Sequence, residues 1–266
     1  MTHLSERLAQ LKSENRAAFI AYLPAGFPTV EKSKAAIEVL VKNGVDIVEI
    51  GFPYSDPIMD GPIIQEAADI ALANGAGASD VLEILGFTTG LNIPAVVMTY
   101  WNPIEQYGIS RFADAIKAAN GSGVITPDLS LEEANPWIRE SDRAGINNIF
   151  VAAPSSVPER LSQVASACSG FVYAASLMGV TGTRTSVSSS AKELVARIRE
   201  TVKTPVCVGL GVSTPEQAKE VATYADGVIV GSALIKVLLE NSDFEKGLKE
   251  LATLTKRLAE GIRGAR

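Results

Sequence analysis

Residues 46–62 read Asp46-Ile-Val-Glu-Ile-Gly-Phe-Pro-Tyr-Ser-Asp-Pro-Ile-Met-Asp-Gly-Pro62, an apolar run followed directly by a proline-rich, acidic loop. Apart from Glu49, the run at 47–51 is apolar without alternation, which is typical of a strand buried on both faces in a parallel sheet. Glu49 lies inside this run, and Asp56 and Asp60 follow on the loop. A buried carboxylate is costly unless it is neutralised or paired, so Glu49 is a candidate for acid–base chemistry.

Short apolar runs and amphipathic stretches alternate along the rest of the chain. We predict strands at residues 18–23, 47–51, 95–100, 123–126, 149–153, 170–175, 206–209 and 227–230. We predict helices at residues 4–11, 30–43, 131–144, 191–202, 215–224, 233–239 and 244–262, and two more within 61–90.

This order of elements predicts an α/β fold in which residues 1–266 form one single-domain (β/α)8 TIM barrel. The barrel is expected to have an extra N-terminal helix and additional helices in the second and eighth units. A doubly wound open sheet is the alternative. It would need a dinucleotide-type glycine loop after the first strand, and Pro24-Ala-Gly-Phe-Pro28 is not such a loop.

Composition excludes several classes of function. The chain has 266 residues and a net charge of −6, with no dense Lys/Arg block, which argues against binding to nucleic acid. It has no uninterrupted apolar run of about 18 residues, so no membrane span is predicted. The N-terminal residues lack an apolar signal core, which favours a cytoplasmic location.

Histidine and cysteine usage limits the available chemistry. The one histidine, His3, is expected to lie in a mobile tail, and Cys168 and Cys207 are expected to be buried thiols. Histidine-based triads and His/Cys metal sites are therefore not predicted, and no metal is expected. Acid–base work would depend on carboxylates, tyrosine, lysine or cysteine.

Polar and aromatic candidates follow the predicted strands. In a (β/α)8 barrel the carboxyl ends of the strands and the loops after them face one mouth, where active sites lie. Tyr22 is expected to end the first strand, and Tyr100 and Asn102 the third. The full set of candidates at the mouth is Tyr22, Glu49, Asp60, Tyr100, Asn102, Asp128, Tyr173 and Thr181.

Three glycine-containing segments indicate a phosphate site. Gly211 follows the seventh strand, Gly231-Ser232 follows the eighth, and Gly182 follows the sixth. Glycine lets backbone N–H groups approach a ligand, and a helix N-terminus adds partial positive charge. Each segment alone could be a simple turn. The Gly/Ser/Thr-rich stretch 179–190 is either a flexible connection or a lid that closes over a ligand.

Six motifs occur in the order VEIGFPYSDPIMDGP, MTYWNP, PDL, MGVTGTR, GLGVSTPEQ and IVGSALIK. Together they resemble the tryptophan synthase alpha chain family over essentially the whole length. The resemblance implies a (β/α)8 barrel and cleavage of indole-3-glycerol phosphate to indole and glyceraldehyde 3-phosphate. It also implies transfer of indole to a beta chain in an alpha2beta2 heterotetramer. Pyridoxal phosphate is expected only in that beta chain, and no cofactor is expected in this one.

The same resemblance assigns roles to individual residues. It implies that Glu49 and Asp60 are catalytic and that Asp56 faces the beta chain. The implied wall of the indole site is Tyr22, Met98, Tyr100, Ile125 and Tyr173; the implied phosphate positions are Gly182, Gly211, Gly231 and Ser232. Asn102 and Asp128 are assigned to the loops that face the partner.

This chain also departs from the family pattern. Met59, Ser130 and Leu177 stand where the family usually has other residues. These departures bear on coupling to the partner and on the lid more than on the chemistry.

The reaction accounts for the two acids independently. A retro-aldol cleavage needs a proton delivered to indole C3, a proton removed from the side-chain hydroxyl and stabilisation of a positive ring nitrogen. A Glu49 with raised pKa can carry the protons, and ionised Asp60 can accept a hydrogen bond from the ring N–H.

Purely structural roles remain open as alternatives to the catalytic and binding roles. Glu49 could be a structural buried acid, Asp60 a turn former and Tyr173 a packing residue, while Thr181 could be a lid hinge or a contact to Asp60. The rival functions are another phosphate-sugar barrel, such as an isomerase, and a non-catalytic subunit that only activates a partner.

Overall fold

The structure is a computed structural model that describes residues 3–175, 186–209 and 211–266. Its strands are β1 (Ala18–Pro24), β2 (Ile47–Gly51), β3 (Ala95–Met98), β4 (Gly123–Thr126), β5 (Asn147–Ala152), β6 (Val172–Ala175), β7 (Val206–Gly209) and β8 (Gly227–Val230). Its helices are α1 (His3–Ser13), α2 (Val30–Lys42), α3 (Pro62–Ala73), α4 (Ala78–Gly90), α5 (Trp101–Tyr107), α6 (Ile109–Ala118), α7 (Asn135–Ala144), α8 (Pro158–Ala167), α9 (Ser186–Arg199), α10 (Pro215–Ala222), α11 (Ser232–Leu239) and α12 (Phe244–Arg263).

The strands form a closed parallel barrel in sequence order, with β8 hydrogen-bonded to β1. This closure confirms the predicted (β/α)8 barrel and excludes the open doubly wound sheet. The register pairs Tyr22 of β1 with Glu49 of β2, and Glu49 with Val96 of β3. Glu49 therefore lies two residues before the carboxyl end of its strand, close to the barrel mouth.

The predicted additional helices are present as α1, the pair α3 and α4 in the second unit, and the pair α11 and α12 in the eighth. The third unit also contains two helices, α5 and α6, which the sequence did not lead us to expect, and α8 was missed as well. Pro103 lies inside α5 and Gly108 separates α5 from α6. Both residues weaken a helical pattern, which explains why the segment resembled a loop.

The bounds of β1, β3, β5 and β6 differ from the prediction by one or two residues at an end, and those of β1 and β3 bear on the site. β3 ends at Met98, because Tyr100 is the N-cap of α5 with φ −68° and ψ 161°. The expectation that Tyr100 and Asn102 end the third strand is therefore wrong, and both belong to the start of α5. Tyr22 lies within β1, which continues to Pro24, so it does not end the first strand either.

The predicted helix ranges also differ from the structure, by the most at the starts of α7 and α9. α7 begins at Asn135 rather than at residue 131, because Pro136 favours the first turn of a helix. α9 begins at Ser186, so residues 186–190 are helical and not part of the loop or lid expected over 179–190. Residues 179–185 of that stretch lie outside the described residues.

Apolar side chains pack in two layers, one between the barrel and its helices and one inside the barrel. Leu4, Leu8 and Leu11 of α1 belong to the inner layer, together with strand residues such as Ile47. α1 therefore closes the amino-terminal end of the barrel. His3 is the first residue of this helix, so the expectation of a mobile tail there is wrong.

Asp46 attaches α1 to the barrel. Its carboxylate is 2% exposed and accepts hydrogen bonds from Arg7 of α1 at 2.6 Å and from Arg16 at 2.7 Å. It also accepts one from the backbone N–H of Phe19 in β1 at 2.9 Å. Because these donors come from α1, the α1–β1 connection and β1, one buried acid joins three consecutive parts of the chain.

The described residues include no single helix that is long and apolar enough to cross a membrane; only α3 and α4 taken as a pair, bent by 109° at their junction, pass that test of length and composition. Cys168 and Cys207 are both free and buried, as predicted.

Candidate active site

Glu49 is buried in the centre of β2, with an exposure of 1%. Its Oε2 atom has no hydrogen-bond partner among the described residues. Burial, together with the nearby negative charge of Asp60, raises the pKa of Glu49 to about 8. The side chain is therefore a neutral carboxylic acid at pH 7 and can donate a proton.

Asp60 lies on the loop between β2 and α3, directly before the N-cap Gly61. Its backbone carbonyl accepts a hydrogen bond from Gln65 Nε2 at 2.8 Å, which ties the loop to the first turn of α3. Its carboxylate accepts one from the Tyr100 hydroxyl at 3.3 Å. Burial raises the pKa of Asp60 and this hydrogen bond opposes the rise, so the two acids have different environments.

Two buried tyrosines, Tyr22 of β1 and Tyr173 of β6, interact electrostatically with both acids. Burial, and then the charges of Asp60 and Glu49, raise the pKa of each phenol well above its usual value. Both side chains therefore stay neutral. Tyr173 belongs to the inner apolar layer, with Ile125 of β4 fully buried and Met98 of β3 partly buried beside it.

Each of these tyrosines lies over a glycine of the next strand. A Cβ at Gly51 would lie 2.3 Å from the Tyr22 hydroxyl, and one at Gly209 would lie 2.1 Å from the Tyr173 hydroxyl. In both cases the glycine is two residues beyond the strand partner of the tyrosine. Sequence reasoning missed the role of Gly51, and a glycine at the end of a buried strand was the only available signal.

A set of hydrogen bonds and ring contacts lies beside Asp60 and involves Tyr100, Asn102 and Asp128. The Tyr100 hydroxyl accepts a hydrogen bond from the Met59 backbone N–H at 2.9 Å. Asn102 Nδ2 donates to the Tyr54 hydroxyl at 3.0 Å, and the rings of Tyr54 and Tyr100 are 5.2 Å apart. The Asp128 carboxylate accepts the backbone N–H of Trp101 at 2.9 Å and so fixes the start of α5.

The predicted phosphate glycines follow adjacent strands at the mouth. Gly211, with φ +72°, lies between β7 and α10, and Gly231 is the N-cap of α11, whose first residue is Ser232. A Cβ at Gly231 would lie 3.0 Å from the ring of Tyr22, so this backbone runs close to the tyrosine. Thr181 and Gly182 lie outside the described residues.

The loop after β2 exposes apolar side chains. Ile58 is 80% exposed and Met59 is 50% exposed. Asp56 is exposed and accepts a hydrogen bond from the Ser55 hydroxyl at 2.7 Å, whereas the N-cap of α3 is Gly61. Asp56 is therefore free of a helix-capping role. Ser130 donates to Glu133 at 3.2 Å, and Leu177 lies outside the described residues.

The part of the chain that the structure describes has no group of three His, Cys, Asp or Glu side chains able to hold a metal. A surface cavity of about 440 Å³ lies at the other end of the barrel, between α1 and the segment before β3. His3, Arg7 and Asp46 line it, and neither Glu49 nor Asp60 does. The chemistry expected from the two acids belongs to the mouth and not to this cavity.

Comparisons with known proteins agree with the barrel and its motifs. The family model described as tryptophan synthase alpha chain matches residues 8–263. The tryptophan synthase alpha chain of Thermobifida fusca is 51% identical, with 100% of this chain and 99% of that protein covered. That of Mycobacterium marinum is 52% identical, with 95% and 91% covered.

Solved structures give the same result. A chain of M. tuberculosis tryptophan synthase in the aminoacrylate-bound form superposes with a TM-score of 0.90 at 45% identity, covering 99% of this chain and 100% of that one. Tryptophan synthase subunit alpha from Legionella pneumophila superposes with a TM-score of 0.90 at 32% identity, covering 98% of each. The chain therefore belongs to the tryptophan synthase alpha chain family.

Proposed function

We propose that the barrel mouth cleaves indole-3-glycerol phosphate to indole and glyceraldehyde 3-phosphate, with Glu49 and Asp60 as the two catalytic groups. Membership of the family makes the chain a lyase of tryptophan biosynthesis. The observation that carries the assignment of roles is the contrast between a fully buried acid whose pKa is raised to about 8 and a second, partly exposed acid nearby. Two carboxyl groups in different environments can take different roles in one reaction.

Glu49 carries the protons in this proposal. The neutral acid protonates indole C3, which makes that carbon tetrahedral and leaves positive charge on the ring nitrogen. The carboxylate then accepts the proton of the adjacent hydroxyl. The new carbonyl forms as the bond to C3 breaks, and the electrons of that bond return to the ring and neutralise the nitrogen. Glu49 ends protonated, as it began.

Asp60 acts on the ring nitrogen. Its ionised carboxylate accepts a hydrogen bond from the indole N–H, and this bond strengthens as positive charge develops on the ring. The partial exposure of Asp60 supports the role, because a carboxylate at the mouth ionises more readily than one in the interior.

The remaining side chains hold the substrate. Tyr22, Met98, Tyr100, Ile125 and Tyr173 are proposed to line the indole ring, since they are apolar or neutral groups at or near the inner wall of the mouth. Gly211, Gly231 and Ser232, with Gly182, are proposed to bind the phosphate through backbone N–H groups. Thr181 is proposed to contact Asp60 when ligand is bound.

An alpha chain implies a beta-chain partner. We propose an alpha2beta2 assembly in which the surface around Asp56, Ile58, Asn102 and Asp128 faces that partner. In this assembly pyridoxal phosphate belongs to the beta chain, and this chain works without a cofactor of its own. A cytoplasmic location is proposed because the substrate is a phosphorylated metabolite.

The decisive experiment measures indole release from indole-3-glycerol phosphate by the purified chain, alone and with a beta chain. We expect slow release alone and faster release with the partner. Glu49→Gln should reduce the rate more than tenfold, equivalent to more than about 1.4 kcal/mol, while binding of a phosphate-containing substrate analogue persists. Absence of release in both conditions contradicts the lyase assignment, and a variant above a tenth of the wild-type rate contradicts the role of Glu49.

A further inference from the structure

The hydroxyl of Tyr100 has two hydrogen-bond partners, and both belong to the loop between β2 and α3. The Met59 backbone N–H can only donate, so the tyrosine oxygen accepts this bond at 2.9 Å. The single proton of the phenol is therefore available to the Asp60 carboxylate, 3.3 Å away. One hydroxyl thus contacts the loop backbone and the acid beside it.

From this geometry we propose that Tyr100 is a positioning residue that holds the Asp60 carboxylate ionised and directed toward the ring nitrogen of the substrate. The inference rests on the proposed role of Asp60 and extends it. It goes beyond the wall position that the family resemblance implies for Tyr100, because the group that acts is its hydroxyl and not its ring.

Tyr100 suits this task because, within the described ranges, it is the residue that donates a hydrogen bond to the Asp60 carboxylate. Among the described residues, Asp60 takes part in no ion pair, and Tyr100 supplies the one hydrogen bond that its carboxylate accepts. The tyrosine is 5% exposed, whereas Met59 is 50% exposed. A rigid, buried donor therefore holds an acid on an exposed loop, which is the arrangement that orients a catalytic group.

Tyr100 is itself held in place from two sides. Its ring contacts that of Tyr54, whose hydroxyl accepts the hydrogen bond from Asn102 at 3.0 Å. On the other side, Asp128 accepts the backbone N–H of Trp101, the next residue in the chain, at 2.9 Å and 3.1 Å. The loops after β2, β3 and β4 therefore meet at Tyr100.

The contact also has an electrostatic consequence. The hydrogen bond from Tyr100 lowers the pKa of Asp60 against the rise caused by burial. The other titratable groups whose interactions with Asp60 are described are Glu49 of β2, Tyr22 of β1 and Tyr173 of β6. None of these three donates a hydrogen bond to the Asp60 carboxylate. Removing the phenolic proton should therefore raise the pKa of Asp60.

The test compares Tyr100→Phe with wild type and with Tyr224→Phe. Tyr224 is also a buried tyrosine, and its hydroxyl has no hydrogen-bond partner among the described residues. We expect Tyr100→Phe to lower kcat for indole release at least about tenfold while KM changes by less than about twofold. The acid limb of the kcat profile should move to higher pH, because Asp60 must ionise without its donor. Tyr224→Phe should leave kcat, KM and the pH profile unchanged.

A second measurement makes the inference independent of turnover. The Asp60 carboxyl is titrated by ¹³C NMR in wild type and in Tyr100→Phe, with the signal assigned through Asp60→Asn. We expect a higher midpoint in the variant. An unchanged midpoint overturns the inference, as does a fall in kcat with an unmoved acid limb. If wild type releases no indole but the Asp60 midpoint is still higher in Tyr100→Phe than in wild type, the proposed function is contradicted and the contact between Tyr100 and Asp60 is supported.

Discussion

A single glutamate inside an apolar strand has consequences for stability, apart from the catalytic role proposed for it. Glu49 is protonated in the folded chain up to a pKa of about 8, whereas an unfolded glutamate loses its proton near its ordinary value of about 4.5. Between these values the folded state binds more protons than the unfolded state. The free energy of unfolding therefore falls as pH rises through this window.

This linkage predicts a pH-dependent effect of Glu49→Gln. The variant lacks the titrating group but keeps its size, so its stability should not fall through this process between about pH 5 and pH 8. We expect the free energy of unfolding of the variant, relative to that of wild type, to increase with pH by on the order of a few kcal/mol at pH 8. Chemical unfolding at pH 5, 6, 7 and 8 measures the difference. A constant difference across this range contradicts the raised pKa.

Sequence reasoning identified Glu49 and Asp60 because an acid in an apolar run and an acid before glycine at a strand end are both visible locally. The contact between Tyr100 and Asp60 was not visible in that way. These residues are 40 positions apart, and their contact depends on the path of the exposed loop through residues 55–59. Likewise, only the register of the strands reveals that Gly51 makes room for Tyr22.

At the scale of elements, the strands were the easier part of the fold to predict. A strand covered on both faces is continuously apolar, and β2, β4, β7 and β8 have the predicted bounds. Helices α5, α6 and α8 were missed because proline or glycine interrupts or borders them. Only α5 has a proline inside the helix; α6 follows a glycine, and α8 begins with a proline, which the first turn of a helix accepts. Tertiary packing stabilises such short helices more than their own sequence does.

The loop between β7 and α10 gives a prediction about phosphate binding. Gly211→Asp places a carboxylate beside the proposed phosphate site, and like-charge repulsion should raise KM for indole-3-glycerol phosphate strongly. Gly211 has φ +72°, so part of any effect could come from backbone strain. Gly211→Asn is the matched control, because asparagine has the same shape without the charge and tolerates this conformation.

We expect KM to rise at least about tenfold more in Gly211→Asp than in Gly211→Asn, equivalent to about 1.4 kcal/mol. Steady-state kinetics at low ionic strength make the charge effect largest. Equal KM values for the two variants contradict the phosphate assignment and attribute the change to the backbone.

For the molecule as a whole, a substitution at Asp46 tests how strongly the attachment of α1 contributes to stability. Asp46→Asn removes the charge that pairs with Arg7 and Arg16 and replaces one of the two acceptor oxygens by an NH2 group, which cannot accept from these donors. We expect a loss of about 3 kcal/mol in the free energy of unfolding, at the lower end for buried pairs because Arg7 is partly exposed. Urea unfolding of wild type and the variant measures this loss.

Asp114→Asn is the control for this change. Its partner Arg143 is an exposed side chain, so the same chemical substitution should have little effect on unfolding. Similar losses in the two variants contradict a special role for Asp46. Indole release should remain measurable in folded Asp46→Asn, because Asp46 lies at the amino-terminal end of β2 and the proposed site lies at the mouth, at the carboxyl end.

Helix α1, which covers the amino-terminal end, also limits how ligands reach the interior of the barrel. Leu4, Leu8 and Leu11 fill that end and close it, so the interior is reached from the carboxyl-terminal mouth. With the active site at the mouth, as proposed, substrate enters and both products leave on the same side of the barrel. In the proposed arrangement, the indole ring is beside Glu49 and the phosphate is at the loops after β7 and β8. A beta chain bound over the mouth would then face both products as they leave.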